Sequence, residues 1–209
     1  MPPSSYSPER DWILIGMAER CAQVGYEATT TESICAVSGV SRETFERSFA
    51  GRDECLGATM ELIVDAGRRR LEAACPAGPW EERLTRGVAA MLGFLAERPA
   101  FAHTALIEAA PAGGRAALLY GSAKAALLAE IERGPDRTGA GIPAAAGRGA
   151  LAGVETLLAS RVVAGKAAEL RDLTGEVIYS LAVPHLGRGE AQRLAARAVQ
   201  RRPALRAVA

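Results

Sequence analysis

The sequence is poor in the residues from which catalytic and metal sites are usually built. It holds two histidines, His103 and His185, and four cysteines, Cys21, Cys35, Cys55 and Cys75, spaced 14, 20 and 20 residues apart with no CxxC pair. That spacing argues against a zinc site, so no metal and no cofactor is expected. Cys21, Cys35 and Cys55 read as small core residues, with redox sensing as the sharper alternative. Walker, HExxH and GxSxG motifs are missing, and Gly147, Gly149 and Gly153 have the wrong spacing for a dinucleotide loop. An enzyme is therefore not expected. Excess charge of one sign is lacking too: 25 Lys and Arg stand against 24 Asp and Glu, so no global field points to nucleic acid or membrane. No apolar run reaches the length of a spanning helix. The first residues, MPPSSYSPERDW, do not form a signal peptide, and the expected location is cytoplasmic.

Strand signals are also scarce. Alternating Val, Ile, Thr and Tyr runs and Asn-Gly or Asp-Gly turns are absent, whereas Ala, Leu and Arg dominate. The whole chain reads as helix. A first helix is expected from a Ser7 cap and Pro8, with Glu9 and Asp11 at the positive end of its dipole. Its apolar face is Ile13, Leu14, Met17, Ala18, Cys21 and Val24, and Gly25 ends it.

Two short helices follow. Thr29 with Glu32 reads as a capping box opening the first, which ends near Val37. Ser38-Gly39-Val40 is a tight turn, and Ser41 caps the second, which ends near Phe49. Ile34, Cys35, Val40, Phe45 and Phe49 would fix the angle between them. Gly51 then leads into a long helix over about 52–74. Further helices are expected over about 80–97, 99–110, 115–133, 144–164, 166–185 and 190–202, broken by Pro76 to Pro79, Pro111 to Gly114 and Gly134 to Pro143.

The stretch Gly25-Tyr26, Thr29-Thr30, Ile34, Ser38-Gly39-Val40-Ser41, Thr44-Phe45, Phe49 and Arg52-Asp53-Glu54 before Leu56 resembles the reading domain of tetracycline-repressor-like (TetR) regulators. The resemblance implies an all-α chain. It comprises an N-terminal three-helix helix-turn-helix domain (1–51) and a helical effector-binding and dimerisation domain (52–209). It implies a homodimer on a double-stranded, palindromic operator, acting as a repressor that a small effector releases. Ser41, Arg42, Thr44, Phe45 and Arg47 would then lie at the reading helix, with Arg42 able to meet guanine bidentately. Thr30, Thr31 and Arg52 would meet phosphate. Two departures stand out. Glu43 and Glu46 replace the glycine and tyrosine that many members carry. Residues 1–60 hold five arginines and no lysine against nine acids, a net of −4. Few phosphate contacts and a shallow salt dependence follow, unless Glu43 or Glu46 accepts from cytosine. The alternative is a degenerate reader retained on a ligand-binding or interaction scaffold.

In the second half, Met91, Phe94, Phe101, His103, Ile107, Glu108 and Tyr120 are the candidates for an effector pocket, being mostly apolar with a few polar groups. Gly153, Leu157, Val162, Leu170, Leu173, Val177 and Leu181 form stripes that would build a four-helix dimer interface. Arg68-Arg69-Arg70 and the tail arginines Arg188, Arg193, Arg197, Arg201, Arg202 and Arg206 read as solvated faces.

Overall fold

The computed structural model describes residues 8–75, 77–143 and 145–200. The expected Ser7 cap and the tail arginines Arg201, Arg202 and Arg206 lie outside these. Every regular element among the described residues is helical. The order is α1 (Pro8–Val24), α2 (Thr31–Ser38), α3 (Arg42–Ser48), α4 (Arg52–Ala74) and α5 (Trp80–Glu97). Next comes α6, a continuous rod made of Pro99–His103, a π turn Thr104–Glu108 and Ala109–Ala112. Then follow α7 (Gly114–Glu132), α8 (Ala146–Val163), a 3-10 segment Ala167–Leu173 and α9 (Thr174–Gln200).

The first three helices close around Ile13, Met17, Cys21, Ile34 and Phe45, none more than 1% exposed. Val24, expected on that face, is instead 43% exposed, because α1 ends there and Gly25 turns the chain away at φ 78°. The α2 cap is also shifted by one residue. Thr30, not Thr29, caps it: its Oγ1 accepts from Ser33 N (3.2 Å) and Ser33 Oγ accepts from Thr30 N (3.0 Å). Thr29 is buried and donates its hydroxyl to Gly25 O at 2.7 Å. Gly39 ends α2 at φ 71°, a left-handed conformation that glycine enters without a Cβ clash. Ser41 then caps α3, accepting from Thr44 N at 3.1 Å. Gly16 sets the approach of α1 to α2: a Cβ there would sit 3.0 Å from that of Ser38.

Helix α4 is shared between the two halves. Near its start, Thr59 is buried and its Oγ1 lies 3.4 Å from Leu14 O on α1. Farther along, Gly67 faces Met91 and Phe94 of α5, while Gly57 faces Arg115 of α7. One apolar core runs through both halves. A second, smaller one joins Trp80, Ile178, Ala182, Leu186, Leu194 and Ala195.

That second core exists because α9 is a hairpin. Gly187 leaves helical geometry at φ 74°, ψ 166°, and the arm after it folds back. Val199 therefore comes to lie against Gly175, where a Cβ would stand 3.0 Å from Val199 Cγ2. The break at this point agrees with two separate helices expected on either side of it. The single helix expected from Lys166 instead opens as the 3-10 segment.

Candidate functional site

The α2–turn–α3 unit presents a short helix on the protein's surface with one face held down. Phe45 (1% exposed) and Phe49 (2%) anchor it, their rings 5.7 Å apart. Phe45 thus belongs to the scaffold and is corrected as a reading residue, since a side chain covered on all sides reaches no base. Ser41, Arg42, Glu43, Glu46 and Arg47 are exposed, and Thr44 is half-buried.

The exposed charges are already engaged with one another. Arg42 donates from Nε to Glu46 (2.7 Å) and from Nη1 to Glu32 (3.1 Å). Arg47 donates to Thr44 Oγ1 (3.2 Å) and lies 3.7 Å from Glu43. The Glu32 carboxyl is held below its usual range by its own backbone N–H and by Thr30, then by Arg42. The N-terminus of α2, expected to offer N–H groups to phosphate through Thr30 and Thr31, thus carries a resident carboxylate.

Arg52 has a structural use that spacing did not reveal. Its Nη1 donates to the carbonyls of Tyr26 (3.2 Å), Glu27 (3.2 Å) and Thr29 (2.9 Å), and its guanidinium lies 4.7 Å from the Tyr26 ring centroid. The Tyr26 hydroxyl donates to Asp53. Burial, then that carboxylate, pushes the Tyr26 pKa up. The loop between α1 and α2 is thereby fastened to the first turn of α4.

A second fastening comes from α6. The π turn displays Glu108 towards the same loop, where its Oε2 accepts from Tyr26 N (3.0 Å) while Oε1 lies 3.0 Å from His103 Nε2. His103 and Glu108, expected around a pocket, instead tie the body to the reading unit. Their neighbours in that expected set are placed as follows. Phe94 and Phe101 are buried with rings 6.4 Å apart, Met91 packs at Gly67, and Ile107 is half-buried in the core. The Tyr120 hydroxyl donates to Glu155 at 2.8 Å, across to α8. In the structure the set takes part in core packing, a loop fastening and an α7–α8 link. A wider turn at 104–108 would have been hard to foresee, because no residue there breaks helical spacing.

The expected interface stripes are likewise corrected. Val162, Leu170, Leu173, Val177 and Leu181 are at most 6% exposed within the single chain. They close its own core and are not available to a second copy. Leu157 is half-buried and Gly153 exposed. The outward face of α8 is made of Gly149, Ala152, Gly153, Thr156 and Ser160, ending at the exposed Val163. Burial raises the Cys21 pKa to about 11 and that of Cys55 to about 12, which disfavours the reactive thiolate at both.

No family model and no curated protein sequence matches the chain. Solved structures do. FadR, a fatty acid degradation regulator of Bacillus halodurans, superposes with a TM-score of 0.67 at 16% identity, over 86% of this chain and 96% of that one. FadR of Bacillus subtilis, determined with stearoyl-CoA, gives 0.66 at 17%, over 85% and 98%. A TetR-family regulator from Shewanella sp. PV-4 gives 0.65 at 13%, over 86% and 97%. The fold is that of TetR-type regulators. These neighbours are transcriptional regulators rather than enzymes. No helix among the described residues is long and apolar enough to cross a membrane.

Proposed function

We propose that this protein is a cytoplasmic, homodimeric transcriptional regulator that reads a palindromic operator with α3 and releases it when a small effector binds the helical body. The observation that carries this reading is the α3 end: a helix of about two turns, anchored by Phe45 and Phe49, that exposes Ser41, Arg42 and Arg47 at a surface. A helix of that size enters the major groove with its N-terminal residues against base edges. The stearoyl-CoA in the Bacillus subtilis neighbour supports a small-molecule effector in the body. Ser41, Arg42, Thr44 and Arg47 would read, with Thr30, Thr31 and the outer edge of Arg52 near phosphate. The copies would pair across the outward face of α8, where small side chains at Gly149, Gly153 and Ser160 allow close helix approach.

Selection of bound duplex from a random pool tests this. An enriched palindrome with half-sites about one helical turn apart, ~34 Å, is the expected result. Failure to enrich any sequence would favour a second reading, a reader retained as scaffold. The pairing of Arg42 with both Glu32 and Glu46 is the observation on its side.

A further inference from the structure

An open cleft of about 290 Å³ lies where α4 meets the end of α5, lined by Ala66, Arg69, Arg70, Ala73, Phe94 and Arg98. The α4 members recur at three- and four-residue spacing, so one helix face supplies an apolar floor of alanines edged by two guanidinium groups. Arg98 ends α5 with its guanidinium 5.6 Å from the Phe94 ring centroid and 5.9 Å from that of Phe101. Glu97 accepts from Arg70 at 2.8 Å and also pairs with Arg171. Among the described residues Arg69 and Arg98 have no carboxylate partner. Arg69 and Arg98 are thus left as two cations beside the half-buried Ala66 and the exposed Ala73.

We propose that this cleft binds a small anionic amphipath, with a carboxylate or phosphate head between Arg69 and Arg98 and a short apolar body over Ala66 and Ala73. The planar fork of arginine matches either head bidentately. The volume sits at the lower end of small-molecule sites, ~300–1,000 Å³, so the apolar body is short. The position gives binding a consequence. Helix α4 starts at the Arg52 clamp on the α1–α2 loop, and Arg98 adjoins α6, whose Glu108 holds Tyr26 N on that same loop. A head bridging Arg69 and Arg98 draws together the two elements that fasten the reading unit. This regulatory consequence rests on the function proposed above; the binding site does not.

Calorimetry on the DNA-free full chain tests the site with decanoate, decyl phosphate, decanol and inorganic phosphate, the amphipaths below their micelle concentrations. Decanoate and decyl phosphate should bind, with decanol and inorganic phosphate at least tenfold weaker. The double variant Arg69→Ala/Arg98→Ala should lose tenfold or more, and Arg148→Ala, on α8, should stay within twofold. Because Arg98 also covers two phenylalanines, Arg69→Glu at an exposed position repeats the test, with tenfold weaker binding at a thermal midpoint no lower than that of wild type. Decanol or inorganic phosphate binding as tightly as decanoate would overturn the proposal, as would variants that bind like the wild type. Operator selection is scored separately. Decanoate binding without an enriched palindrome supports the site and removes only its regulatory role. A palindrome without anion binding overturns the site and leaves the reader standing.

Discussion

The arginines of the reading unit and those of the α4–α5 cleft are placed in opposite electrostatic settings. On α3, Arg42 lies between Glu32 and Glu46, and Arg47 beside Glu43. Arg52 is turned onto backbone carbonyls. In the cleft, Arg69 and Arg98 face solvent and aromatic rings with no acid partner among the described residues. The difference shows how one residue type serves two kinds of partner. Exposed ion pairs hold their members only weakly. Bidentate contact with guanine is stronger, so a correct base can displace Glu32 and Glu46 where a bare phosphate has little to gain. On the proposed function, the acids of α3 would penalise unspecific backbone binding and leave base contact to decide. In the cleft neither Arg69 nor Arg98 has such an internal competitor among the described residues, which leaves both free for the anionic head proposed above.

The largest expected effect comes from removing what holds α3 in place. Phe45→Ala, at a position 1% exposed, should cost ~3–5 kcal/mol of stability, the usual range for emptying an aromatic core site. Denaturant unfolding measures it. A loss under about 1 kcal/mol would mean that α3 is not anchored through this ring, and the comparison would lose its rigid half.

Next in size is the base contact. Arg42→Ala should weaken specific operator binding roughly tenfold to a hundredfold, the range of one bidentate contact, while the dimer persists. Glu46→Gln should do the reverse to unspecific binding, strengthening it and steepening its salt dependence. The wild-type slope of log K against log salt should stay shallower than about −6. A steeper slope would show that phosphate neutralisation dominates after all, and that the resident acids do not compete.

How far the sequence could carry this comparison differed between its two sides. The turn at Gly39, the Ser41 cap and the spacing of Phe45 and Phe49 are local features, and each has a local physical cause, so α1–α4 were readable. The cap of α2 moved from Thr29 to Thr30 because two adjacent threonines offer the same hydroxyl, and only packing decided which one was buried. In the body, apolar stripes on 146–163 and 167–186 were visible, but a stripe does not say whether its partner is the same chain or a copy. The answer was the same chain for Val162, Leu170, Leu173, Val177 and Leu181. The Arg69–Arg98 cleft was hidden for a similar reason. Its two cations are 29 residues apart, and an arginine triplet on an exposed helix looks like a solvated face.

A smaller effect should come from a third charge setting, one without any partner. His185 is 1% exposed, neither ring nitrogen has a hydrogen-bond partner, and its ring lies 4.9 Å from that of Trp80. Burial lowers its pKa from 6.5, and the nearby Gly134 backbone with the acids Asp136 and Glu132 opposes this only in part. The folded state therefore keeps the neutral ring. Stability is full above pH 6.5 and declines as pH falls below it, because the unfolded chain takes up the proton first. Denaturant midpoints at pH 8 and pH 5.5 should differ in that direction, and His185→Phe should flatten the difference at this site. An unchanged slope in that variant would assign the pH dependence to carboxylates elsewhere.

The smallest expected effect is on the stability of the free cleft, and it separates binding from folding. Arg69 is exposed and forms no ion pair among the described residues, so Arg69→Ala removes no native contact that the fold depends on. Its stability should stay within about 0.5 kcal/mol of wild type, as for most surface substitutions. It should even rise slightly, because the side chain stands near Arg70 and Arg98 and removing it relieves like-charge repulsion. Repulsion of this kind is screened by salt, so the gain should shrink as ionic strength rises. Thermal midpoints of Arg69→Ala and wild type at low and high salt read this directly. A variant clearly less stable than wild type would show that Arg69 has a structural partner, and the contrast with the paired arginines of α3 would fail at its cleft end.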